Sequence, residues 1–140
     1  MPEARLSVRA DAEAPRALGR FLEAFARAHG VEGDDIARFL VALEELVSNL
    51  VKYGYDDPGP RGTVAVTLRL ADRRLKLEIV DDGRPFDPFA QAPPDLDAPL
   101  EERPVGGLGL HLVRRLMDEA RYRREGHCNV TEIGRPIRLA

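Results

Sequence analysis

The 140-residue sequence predicts an α+β domain, with hairpin-joined strands in one layer and helices massed on the other. Three observations predict it. The neighbouring stretches TVAVTLRL (63–70) and LKLEIV (75–80) alternate apolar and polar residues, the period of half-buried strands, and are separated by four residues. Between 36 and 50, Ile36, Phe39, Leu40, Leu43, Leu46, Val47 and Leu50 recur at helical spacing. The order of elements is strand, helix, helix, strand, strand, long loop, helix, strand, strand, which lacks the strand–helix alternation of a doubly wound parallel sheet.

The first strand is EARLSVRA (3–10), where Leu6, Val8 and Ala10 alternate with polar neighbours. Pro15 suits the first turn of a helix whose Leu18, Phe21, Leu22, Phe25 and Ala28 share a face until Gly30 stops it, with His29 at its end. A second helix starts after Gly33, with Asp34 or Asp35 as its cap, and ends near Gly54. DDPGPRG (56–62) is loop by composition, and Ala71–Arg74 joins two strands as a hairpin. Residues 84–105 hold six of the eleven prolines, the acidic Asp95, Asp97, Glu101 and Glu102, and no periodicity; a loop this long in a small domain is typically a functional lid or a disordered segment. Gly106–Gly109 open a third helix, LHLVRRLMDE, and ARYRRE and NVTEI are short closing strands. In NVTEI, Thr131 and Glu132 stand where apolar residues are expected, and Gly134-Arg135-Pro136 is expected to cut the strand short.

Composition narrows the function. The length fits one domain spanning 1–140. No stretch reaches the roughly 18 apolar residues of a membrane span, and residues 1–12 lack a signal peptide's apolar region, so the expected location is the cytoplasm and no membrane partner is expected. The 21 basic residues are spread among 24 acidic ones, against a phosphate-tracking nucleic-acid surface. Cys128, the single cysteine, has no disulfide or zinc partner and is expected to be a buried structural thiol. The three histidines form no metal-ligand pattern, and no serine sits in a nucleophile elbow.

Three motifs carry possible chemistry. In EELVSNLVKYGY (44–55), Glu45 and Asn49 lie four residues apart on a helix and converge, but helical counting puts them opposite the apolar stripe with Arg38 and Lys52, as a solvated face also would. As a site, the amide of Asn49 suits magnesium and the carboxylate of Glu45 suits proton abstraction. Asp81-Asp82-Gly83 ends a strand; it is a turn signal, and equally a carboxylate placed to accept a hydrogen bond from an exocyclic base amine. VGGLGLHLVRRL sets three glycines at a helix mouth, which is either plain loop flexibility or a phosphate site built of backbone amides. The familiar phosphate-loop and eukaryotic-type kinase signatures are missing.

Taken as a set, a Glu-x-x-x-Asn helix, Asp-x-Gly at a strand end, a lid, and Gly-x-Gly at a helix start resemble the GHKL ATPase superfamily. More narrowly they are similar to the bacterial anti-sigma factor serine/threonine kinases. The carriers are EELVSNLVKYGY, VDDGRPFDP and GGLGLHLVRRLMD, with GHCNVTEI in the place of the last strand. The resemblance implies a Bergerat fold, a two-layer sandwich whose mostly antiparallel mixed sheet is covered on one face by three helices. It implies ATP and Mg2+ as cofactors, with Glu45 as catalytic base and Asn49 as magnesium ligand. Tyr53, at a position where the family often has histidine, would border the nucleotide, Asp81 would hold the adenine amine, and Gly83 would let the base approach. Gly107, Leu108, Gly109 and Leu110 would meet the phosphates, and Arg103 in the lid would reach the terminal one. Pro85 replaces the second glycine of a full Asp-x-Gly-x-Gly box, which implies a stiffer nucleotide rim.

The function so implied is an ATP-dependent protein serine kinase that phosphorylates an anti-anti-sigma (STAS-type) partner and holds a sigma factor, as a homodimer. Rival readings are a non-catalytic nucleotide-binding switch, a stand-alone histidine-kinase-like domain, and a small α+β interaction protein that binds no nucleotide.

Overall fold

The computed structural model describes residues 1–90 and 107–140, with the backbone alone at 107–109. Eight elements follow in order: β1 (Glu3–Arg9), α1 (Ala14–Ala28), α2 (Gly33–Tyr53), β2 (Thr63–Ala71), β3 (Arg74–Asp81), α3 (Gly107–Leu116), β4 (Glu119–Glu125) and β5 (Cys128–Pro136). The strands form one open sheet in the order β1-β2-β3-β5-β4. All four pairings are antiparallel, so among the described residues the sheet is not mixed.

Alternation within each strand aims one set of side chains at the helices. Leu6, Val66, Leu68, Leu77, Ile79 and Ile133 share one core with Leu18 and Leu22 of α1, Phe39 and Leu43 of α2, and Leu110 and Val113 of α3. Each fully buried leucine or isoleucine here contributes about 1.5–3 kcal/mol relative to an exposed one. The other face carries ion pairs, among them Arg123–Glu132 at 2.9 Å and Lys76–Glu119 at 3.2 Å. The β2–β3 turn is Asp72-Arg73, both at positive φ (52° and 57°), the backbone of a two-residue hairpin matched to the sheet's twist.

Three sequence expectations are corrected. Asp34 and Asp35 do not cap α2: the cap position is Glu32, and both aspartates lie in the first turn. Asp35 is buried, accepting from Arg38 (2.9 Å) and from the Arg138 backbone N–H (2.7 Å), so it ties the chain's end to the start of α2. β5 is not cut short. It runs to Pro136 between β3 and β4, because the Lys76–Glu119 pair closes over Gly134 and Pro136 stands at the last ladder position, where a missing N–H is tolerated. Cys128 is half-buried rather than buried. Among the described residues no helix is long and apolar enough to cross a membrane.

Candidate functional site

The register of the sheet creates the site. On the helix side, one row reads Ala4, Leu68, Leu77, Ile133, Ala120 and is wholly apolar. The next reads Leu6, Val66, Ile79, Thr131, Tyr122, and the one after it Val8, Val64, Asp81, Asn129, Arg124. The core-facing surface therefore turns polar toward one corner, where β3, β5 and β4 adjoin. Buried polar groups there must find partners, from the protein or from a ligand.

At this corner a recess of about 390 Å³, part of it open solvent, lies beside α2. Leu46 and Leu50 of α2, Ile79, Phe86 and Pro88 give it apolar walls, while Asp81, Arg84, Asn129 and Thr131 supply its polar lining. Flat apolar walls with a few placed polar groups are the usual make-up of a small-molecule site.

Asp81 is 4 % exposed. Its Oδ1 accepts from the Gly83 N–H (2.9 Å) and from Asn129 Nδ2 (3.0 Å). Among the described residues nothing donates to Oδ2, so a buried acceptor in the recess is left for a ligand. Burial pushes the carboxyl's pKa up, against the two hydrogen bonds, which pull it down; the nearby Asp82 charge adds to the rise and Arg124 opposes it. A carboxylate oxygen held this way beside apolar walls matches the exocyclic amine of a purine, a donor on the edge of a flat ring.

Two glycines bring the end of α2 to the Asp81 turn. A Cβ on Gly83 would stand 2.9 Å from the Gly54 carbonyl oxygen and 3.1 Å from its Cα, and the Arg84 N–H donates to that same carbonyl at 2.9 Å. Tyr55 donates its hydroxyl to Asp82, which also accepts the Thr63 N–H at 3.1 Å. Burial first, then the bond to Asp82, holds the Tyr55 hydroxyl far above the usual phenol range. Arg61 lies 5.7 Å above the Tyr55 ring and donates to the Val51 carbonyl, and Arg84 pairs with Asp56 at 2.6 Å.

Asn49 does not lie on a solvated face. It is 6 % exposed, because the covered arc of α2 is wider than its leucine stripe: Ala42, Leu46 and Asn49, at helical spacing, are all buried. Its Nδ2 donates to the Glu45 carbonyl at 2.6 Å, which leaves the amide oxygen as a neutral hard ligand suited to magnesium. Glu45 is half-buried and Tyr53 is 37 % exposed. None of these three lines the recess around Asp81; their neighbours Leu46, Leu50 and Gly54 do.

α3 begins at Gly107, so Gly107, Leu108, Gly109 and Leu110 form its first turn, where backbone N–H groups have no partner within the helix. The side chain of Leu110 belongs to the core. Arg114 lies 5.8 Å over the ring of Phe89, which joins α3 to the stretch that follows the Asp81 turn. Arg103 and the expected lid beyond residue 90 lie outside the described residues.

Motif reading missed Asn129, Thr131 and Phe86. The signal for the first two was present: in NVTEI, residues 129, 131 and 133 share one face, and two of them are polar on the side that Ile133 marks as core.

The chain matches the model of the histidine kinase-like ATPase domain over residues 8–134. It is 33% identical over 94 residues to the serine-protein kinase RsbW of Bacillus thuringiensis (strain Al Hakam), and equally to that of Bacillus anthracis; the match covers 64% of this chain and 58% of each relative. The matched stretch thus spans little over half the length of these relatives. The crystal structure of the RsbU and RsbW domains of Rv1364c from Mycobacterium tuberculosis superposes with a TM-score of 0.71 at 22% identity, covering 100% of this chain and 33% of that one. That likeness concerns the fold, and it agrees with the five-stranded sheet and three helices described above. With its fold, its recess and a match over nearly its whole length in agreement, this chain belongs to the histidine kinase-like ATPase domain family.

Proposed function

We propose that the chain is an ATP-dependent protein serine/threonine kinase of the anti-sigma type, acting in the cytoplasm on an anti-anti-sigma (STAS-type) partner and alternately holding a sigma factor. The observation that carries this reading is the buried Asp81, with one carboxylate oxygen that nothing among the described residues donates to, in an apolar-walled recess whose wall is the helix that bears Glu45 and Asn49. The relatives' name, serine-protein kinase, supports the reaction class.

Bound ATP with Mg2+ would supply the phosphoryl group and the charge neutralisation its transfer requires. The chain's own residues divide the remaining work. Asp81 Oδ2 accepts from the base amine, and Leu46, Leu50, Ile79 and Phe86 exclude water from the ring. The amide oxygen of Asn49 holds the cation, and the first-turn amides of Gly107, Leu108, Gly109 and Leu110 face the phosphates. Tyr53 borders the nucleotide at the end of α2. Glu45 takes the proton of the attacking serine hydroxyl. The expected lid at 84–105 and its Arg103 would complete the phosphate end of this single domain; residues 91–105 lie outside the described residues.

The test is transfer of label from γ-labelled ATP to a candidate STAS partner. The wild-type chain is expected to label a serine or threonine, and Glu45→Ala to keep ATP binding while transfer falls by about 10²–10⁴-fold. Undiminished transfer in Glu45→Ala would refute the base assignment. ATP binding with no transfer to any side chain would instead identify a non-catalytic switch.

A further inference from the structure

Asn129 stands out because its side chain is both deeply buried, 4 % exposed, and fully used. Its Nδ2 donates to Asp81 Oδ1 at 3.0 Å and to the Arg84 carbonyl at 2.8 Å, with the Gly83 carbonyl at 3.5 Å. Its Oδ1 accepts from the Tyr122 hydroxyl (2.6 Å), Arg124 (3.1 Å) and the Phe86 N–H (3.3 Å). A primary amide offers two donor hydrogens and two lone pairs, so these contacts leave it nothing to give a ligand. Asn129 lines the recess, yet it is not built to bind what enters.

What it can do is hold its neighbours. Asp81, on the adjacent strand, could turn about its side-chain bonds; the Asn129 donor, beside the Gly83 N–H on the same oxygen, fixes the plane of the carboxylate, and among the described residues nothing donates to its other oxygen. Asn129 also grips the backbone at Gly83, Arg84 and Phe86, the segment that places the aromatic wall. The amide is itself kept from flipping by three donors on its oxygen, the closest being Tyr122 from the opposite strand, β4.

Resting on the ATP reading above, we propose that Asn129 is a positioning residue: it orients the Asp81 carboxylate toward the exocyclic amine of the base and sets the Phe86 wall, and thereby determines the preference for that amine. Tyr122 steadies it.

The test compares the affinity for ATP with that for purine riboside triphosphate, which lacks the amine. The wild-type chain is expected to prefer ATP by about tenfold or more, the range of one charge-assisted hydrogen bond. In Asn129→Asp, which keeps the size and the acceptor but replaces the donor, that preference is expected to collapse to within about threefold, with Asp81 Oδ1 released and repelled. A merely structural role would weaken both nucleotides alike and leave their ratio intact; a ratio retained in a folded Asn129→Asp overturns the proposal. Should that variant fail to fold, Tyr122→Phe removes one donor from Asn129 without touching Asp81. It is expected to lower the ratio, and an unchanged ratio there overturns the proposal too. A wild-type chain that binds neither nucleotide fails the ATP reading itself, and one that binds both equally fails the Asp81 assignment.

Discussion

Burial of Asp81 costs the fold stability at neutral pH. Its folded-state pKa is raised chiefly by burial, so the protonated form is the one the fold favours. Such a group stabilises fully below the ordinary carboxylate range, and that contribution is lost as pH rises through the folded value, so at neutral pH the charged side chain costs stability. Asp81→Asn keeps an acceptor for Gly83 and Asn129 and removes the charge. In the absence of nucleotide it is expected to raise Tm at neutral pH by roughly 2–5 °C, a gap that narrows as pH falls through the carboxylate range. Thermal melts across pH check this, and a variant less stable than wild type at neutral pH would contradict it. Gly83→Ala should act in the opposite direction: the added methyl meets the Gly54 backbone at 2.9 Å, which cannot yield as a side-chain tip would. A loss of about 1–3 kcal/mol is expected in denaturant unfolding. Asp81 and Gly83 could be read as candidates from a strand followed by Asp-Asp-Gly. For Asn129 the sequence carries only a polar residue on the face that Ile133 marks as core, and its role exists only once register sets it opposite Asp81.

At the scale of elements, periodicity marked β1, α1, α2, β2 and β3 to within a residue or two, because each has a single clear apolar face. It failed where burial is shared unevenly. Helical counting alone puts Asn49 on the side opposite the leucine stripe, yet α2 is covered on its flank as well as on that stripe. β5 is a central strand written with Asn, Thr, Glu, Gly and Pro, since one face lines the site and the other carries ion pairs. The join between α2 and the chain's end was also hidden, because it pairs Asp35 with a backbone amide 103 residues away. Asp35→Ala removes the acceptor for Arg138 N–H and Arg38 together, and is expected to cost about 1–3 kcal/mol in denaturant unfolding. ATP affinity should be unchanged, since this latch lies at the opposite end of α2 from Gly54. A nucleotide-binding defect in a folded Asp35→Ala would show that the two ends of α2 are coupled.

For the molecule as a whole, the site is a consequence of how the layers meet. An antiparallel sheet with one covered face buries its inward rows, and the row that ends in Asp81, Asn129 and Arg124 lies at the sheet's corner, where the end of α2 and the turn after β3 leave a recess. The motif order in the sequence singles out Asp81 and the end of α2, and the fold brings them to the wall of one recess. On the proposed reading, this recess takes ATP through Asp81. Titration calorimetry of Mg-ATP into the wild-type chain and into Asp81→Asn tests it most directly. Binding by the wild type is expected, with a loss of about tenfold or more in the variant, whose new amide N–H can point at the base amine where an acceptor stood. Equal affinity in the two proteins, or no heat of binding from the wild type, would contradict it.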